Sequence, residues 1–132
     1  MLTRVTIALV IAFASVSASF PVQASACSVQ VGYRVVLIAQ GADPDVFLWD
    51  SRARLIDYSA GHWGDTRTIF AHTLLAHPGT HAVVIACLPG AARVKYSSTV
   101  QDVVGVKVVR GPLRGRYGWV LSSDAHSSRE IH

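Results

Sequence analysis

Charge is scarce in this chain: 15% of its 132 residues are Asp, Glu, Lys or Arg, while 51% are hydrophobic. That balance excludes an intrinsically disordered protein. Cysteine is nearly absent, with Cys27 and Cys87 the only two. Long apolar runs are missing beyond the N-terminus, so no stretch after it approaches membrane-spanning length. Repeats and low-complexity tracts are absent as well, and the length excludes large multidomain enzymes and nucleotide motors. The motifs of nucleophilic and metal-dependent hydrolysis are also lacking, with neither a Gly-x-Ser-x-Gly elbow nor a His-Glu-x-x-His helix.

What is present starts with a leader. Arg4 precedes an apolar run from Val5 to Val16, then Pro21 and the small residues Ala24, Ser25 and Ala26. This is the pattern of a cleaved secretory signal over residues 1–26, and its apolar core is too short for a permanent anchor. Residues 27–121 are then expected to form one small domain, and the polar segment 122–132 a flexible tail. Export to the periplasm or beyond puts the cysteines in an oxidising compartment, which predicts one Cys27–Cys87 disulfide. The alternatives are lipidation of Cys27 after cleavage at Ala26, against which stands Ala24 where lipoprotein signals carry Leu, or free thiols. Cys87 lies in an apolar run that would not lower its pKa, so a catalytic cysteine is not expected.

The mature chain reads as short strands. Tyr33–Gln40 is rich in β-branched residues and ends at the turn Gly41–Pro44. Val46–Asp50 reads as a second strand, with Phe47 and Trp49 on one face and Val46 and Leu48 on the other, and Arg54–Tyr58 as a third. From Asp65 the period changes: Ile69, Phe70, Thr73, Leu74 and His77 recur at helical spacing, predicting one short helix near 66–77 closed by Pro78-Gly79. His81–Leu88 is strand-like, a polar loop follows at Ser97–Gln101, and a last strand pair completes a mainly β domain with one short helix.

Residues 105–120, GVKVVRGPLRGRYGWV, carry a resemblance. Val106 and Val108 alternate, Gly111-Pro112 opens a turn, and Trp119-Val120 restarts a strand. The spacing resembles the KOW motif, a hairpin of Src-homology-3-like barrels in ribosomal and transcription proteins. Its ending Gly-x-x-Gly-Trp-Val, Gly115 to Val120, is similar to the last hairpin of bacterial Src-homology-3 domains, which are often exported and wall-associated. The resemblance implies a small Src-homology-3-like antiparallel β-barrel.

Charge gathers on the same segment. Residues 93–116 hold Arg93, Lys95, Lys107, Arg110, Arg114 and Arg116 against Asp102 alone, with Tyr96, Tyr117 and Trp119 interleaved. Cations beside aromatics suit an anionic polymer, because Coulomb attraction adds to stacking. The candidate ligand-binding residues are therefore Tyr96, Lys107, Arg110, Arg114, Arg116, Tyr117 and Trp119; the competing reading is a solvated face with the rings in the core. Trp63, between His62 and Gly64, would add an exposed ring or pack inside. Export favours peptidoglycan or an envelope protein as partner and makes nucleic acid unlikely. His72, His77 and His81 are spaced five and four apart, across a helix and a strand start, so no metal is expected. Asp43, Asp45 and Asp50 flank a turn, where acids face water. No catalytic residue and no cofactor is expected. The function expected is a non-catalytic exported binding or structural module of the envelope. The alternatives are nucleic-acid or polyanion binding by the basic hairpin and a small hydrolase without a recognisable motif.

Overall fold

Period-two alternation of apolar residues builds a sheet with two different faces. The computed structural model describes residues 26–40, 44–62 and 64–128. Residues 1–25, nearly all of the expected leader, lie outside them, as do Gly41–Asp43, Trp63 and residues 129–132. Seven strands form one antiparallel sheet: β1 (Arg34–Leu37), β2 (Val46–Trp49), β3 (Thr73–Ala76), β4 (Thr80–Arg93), β5 (Val100–Val108), β6 (Tyr117–Leu121) and β7 (Ala125–Ser127). Their order across the sheet is β3-β2-β6-β5-β4-β1-β7. Residues from both edges, Ala76 of β3 and Ala125 of β7, belong to one buried cluster with Val35, Leu48, Val84, Val104 and Val106. That requires the sheet to curl into a half-barrel around this cluster. Among the described residues β3 and β7 are its two edges.

The opposite face is covered by two helices, α1 (Arg52–Ser59) and α2 (Thr66–Ala71). A second cluster there holds Trp49, Leu55, Ala92 and Val103, with Phe47, Tyr58, Ile69 and Trp119 packed against it. The two faces of β2 divide as its alternation predicts: Val46 and Leu48 point into the half-barrel, Phe47 and Trp49 toward the helices.

Three segments differ from the sequence reading. Arg54–Tyr58 is helical, not a strand. The Ser51 hydroxyl caps the helix by accepting from the Arg54 N–H, and Leu55 and Ser59, four apart, are its buried residues. The helix expected near 66–77 stops at Ala71, and Thr73–Ala76 instead pairs with all four residues of β2. Leu74 and Ala76 thereby join the half-barrel interior, a burial that continuing the helix would forfeit. The tail expected from Ser122 begins with a short 3-10 turn, Ser122–Asp124, and then β7, paired with β1. Asp102 N–H donates to Ser122 Oγ, Ser123 N–H donates to Gln101 Oε1, and Ala125 is buried, so polar composition here serves docking and not fraying.

Glycine is needed at several positions of the β5–β6 hairpin, Gly118 and Gly115 among them. At Gly118, where β6 passes β2, a methyl group would lie 2.6 Å from Leu48 Cβ and 3.2 Å from its Cα. Gly115, in the turn, has φ +85°, a left-handed conformation that side chains disfavour.

The N-terminal segment is fastened twice. Cys27 and Cys87 form a disulfide across 60 positions. Beside it, the Ser28 N–H and hydroxyl donate to Asp102 Oδ2 at 2.8 and 2.9 Å, and the Gly90 N–H donates to Oδ1 at 2.9 Å. Burial opposes the charge on Asp102, but these donors outweigh it and hold the carboxyl below its ordinary range. A group with a depressed native pKa adds stability that is complete above its unfolded value and drains as pH falls through the native one. Asp102→Asn is therefore expected to cost about 1.5 kcal/mol at neutral pH, the lower range for bonds to a charged group. The gap between variant and wild type should narrow as pH is lowered from 5 to 2, as read from urea midpoints across that interval. A gap independent of pH would show that the ionised carboxylate is not what holds the segment.

Candidate ligand-binding surface

The β5–β6 hairpin forms in register, with Lys107 opposite Tyr117, Val106 opposite Gly118 and Gly105 opposite Trp119. Its turn is closed by the Gly115 N–H donating to the Val108 carbonyl and the Arg114 N–H to the Gly111 carbonyl. This places Arg110, Arg114 and Arg116 on one exposed loop at one end of the sheet. Lys107 and Tyr117 share the outward face, and Lys107 Nζ lies 5.5 Å from the Tyr117 ring centroid. Tyr117 is 58% exposed, so the cation sits beside an aromatic residue open to solvent. Arg34, opposite Val83, which is in turn opposite Lys107, continues the row across β4 to β1. Sequence reasoning missed Arg34 because it lies more than seventy positions from Lys107, and only strand order brings them into one row.

The other candidates separate from this group. Tyr96 is 91% exposed, with Lys95 Nζ 5.7 Å from its ring, but it belongs to the β4–β5 turn. Seven steps of β5 separate Val100 from Lys107, about 23 Å at the usual rise. Trp119 packs into the helix-covered cluster, where its ring lies against Gly105. The structure thus brings together Lys107, Arg110, Arg114, Arg116 and Tyr117, leaves Tyr96 at the far end, and turns Trp119, the next residue along the same face as Tyr117, into the helix-covered packing.

Two shallow recesses flank the loop. One, of about 260 Å³, lies between the loop and the β3–β4 connection, walled by Leu75, Pro78, Pro112 and Leu113 with Arg110 and His81 among its polar lining residues. The other adjoins Asp50, His72, Arg116 and Tyr117.

The histidines do not converge. His72 Nδ1 lies 2.9 Å from Asp50 Oδ2 and His77 Nδ1 3.0 Å from Asp45 Oδ1. Each pair bridges one end of the β2–β3 ladder, at positions that continue its register. Burial opposes ionisation of Asp50, but hydrogen bonds and charge from His72 and Arg54 prevail and lower its pKa. Asp45 and Asp50 therefore bind histidines and do not simply face water. Among the described residues one trio of metal-ligating side chains comes close together, Cys27, Cys87 and Asp102, and its two sulfurs are bonded to each other.

In comparisons with known proteins, the chain matches no family model, no curated protein and no solved structure.

Proposed function

We propose that this chain is an exported, non-catalytic binding module of the cell envelope, with the cationic end of the half-barrel as its ligand face. The observation that carries the reading is the assembly of Lys107 and the exposed Tyr117 beside Arg110, Arg114 and Arg116, in a loop without any acid. An anionic polymer gains from several such charges at once, although salt screens each singly. The disulfide fits an oxidising, non-cytoplasmic environment, and the leader pattern supplies the route. Peptidoglycan, with its carboxylate-bearing peptides, is the envelope polymer that fits. The likeness of the hairpin to Src-homology-3-like barrels supports the same class of module.

The test is co-sedimentation of the folded protein with purified peptidoglycan, and in parallel with RNA, across a salt series. Retention on the wall polymer at physiological salt is expected. Replacing Arg114 and Arg116 with Glu reverses two exposed charges and should abolish retention, with the melting temperature shifted by no more than a few degrees. Unaltered retention would mean the arginines are merely solvated. Binding to RNA alone, fading steeply with salt, would replace this reading with nonspecific polyanion attraction.

A further inference from the structure

We infer that the recess beside Arg110 holds the C-terminal carboxylate of a short peptide whose last side chain is apolar. This deepens the proposed function and rests on the reading of this end of the sheet as the ligand face.

The recess is lined by two unlike sets of residues. Leu75, from the outward face of the edge strand β3, and Pro78 stand opposite Pro112 and Leu113 of the β5–β6 loop. These four offer no hydrogen-bonding side-chain group. Among the polar residues that line it, Arg110 is exposed and His81 is half-buried. A guanidinium meets a carboxylate through two parallel N–H donors, which makes Arg the natural reader of a planar anion. Neighbouring polar groups are already engaged. Thr80 Oγ donates to the His77 carbonyl at 2.7 Å, and the His77 ring pairs with Asp45. Asp45 meets this wall through His77, on which it is held. The Val109 N–H donates to the His81 carbonyl, tying the loop that carries Arg110 to the start of β4 and fixing the width of the recess.

Size limits how much of a ligand is enclosed. About 260 Å³ falls below the roughly 300–1,000 Å³ of sites that enclose drug-sized ligands. It suits a chain end, with the rest of the ligand leaving toward Arg114 and Arg116. A peptide amide would leave Arg110 without its ionic partner.

The experiment titrates N-acetyl-alanyl-alanine into isotopically labelled, disulfide-intact protein and follows backbone amide shifts. Saturable shifts centred on Arg110 and Leu113 are expected, at least tenfold weaker for the dipeptide's C-terminal amide. Arg110→Gln should abolish them and Arg110→Lys restore part of the affinity, both with an otherwise unchanged amide spectrum. Acetate binding as tightly as the dipeptide would overturn the peptide assignment in favour of a bare anion site. Equal binding of the amide, or shifts centred on Lys107 and Tyr117, would overturn the site itself. No polymer is present, so the two readings fail separately. A protein that binds the dipeptide but not peptidoglycan keeps this inference and loses the polymer reading; the reverse result loses only this inference.

Discussion

Trp49→Ala is expected to destabilise the domain by about 3–5 kcal/mol, the range for truncating a large buried aromatic. Trp49 is 1% exposed and is the bulkiest of the fully buried side chains. It ends β2 opposite Trp119 of β6, and its ring lies 5.0 Å from that of Tyr58 on α1. Leu55, Ala92 and Val103 complete the contact. Removing the indole opens a void where α1, β2 and β6 meet, and α1 has few other anchors: Leu55 and Ser59 are its only buried residues among those described. The helix cannot settle into the space without breaking the cap at Ser51, so little of the void should close. For a domain of this size the loss corresponds to a fall in melting temperature on the order of 15 °C. Trp49→Phe should recover part of it. A urea-derived loss below about 1.5 kcal/mol for the alanine variant would show that the helix-covered face contributes little and that the half-barrel interior sustains the fold alone.

What the sequence made legible follows from how local each determinant is. The alternation of β2, the strand character of 81–88 and the hairpin at 105–120 depend on neighbours within a dozen residues, and each takes its expected form. The Cys27–Cys87 bond was legible because only two cysteines exist. The helix at 52–59 was not, since RARLIDYS has a weak apolar period and its start depends on one hydroxyl, Ser51. Thr73–Ala76 shows the opposite failure. Its helical spacing is real, but pairing with β2 and burial of Leu74 and Ala76 belong to the tertiary fold. The candidate surface divides in the same way. Lys107 and Tyr117 are ten positions apart and meet through a hairpin that glycines announce. Tyr96 groups with the cluster in the sequence, eleven positions before Lys107, yet the extended length of β5 carries it to the far end. Arg34 and the Asp45–His77 and Asp50–His72 pairs depend on strand order and register, which no local signal encodes.

The cysteine pair supports the second large effect. Replacing Cys27 and Cys87 together with Ser is expected to cost about 4 kcal/mol, because the bond closes a loop of 60 positions and the unfolded chain regains that closure entropy without it. The loop holds β1, β2, both helices, β3 and the first half of β4, so more than half of the described residues are constrained before folding begins. In the native state the ends would still be held by Ser28 on Asp102 and by Val29, which is 6% exposed inside the half-barrel. The variant should therefore fold to the same structure, with unchanged far-ultraviolet dichroism. The loss would appear as a lower urea midpoint together with a steeper slope, since an unlinked unfolded chain exposes more surface. The Asp102 tie and the burial of Val29 then carry all of the hold on this segment. Adding Asp102→Asn to the cysteine variant should cost more than the same change costs in the disulfide-bonded protein, a non-additivity expected of neighbours that share one job. Strict additivity, or a cysteine loss below about 1 kcal/mol, would mean that the segment before β1 is held by its own burial and that the covalent link merely records where it lies.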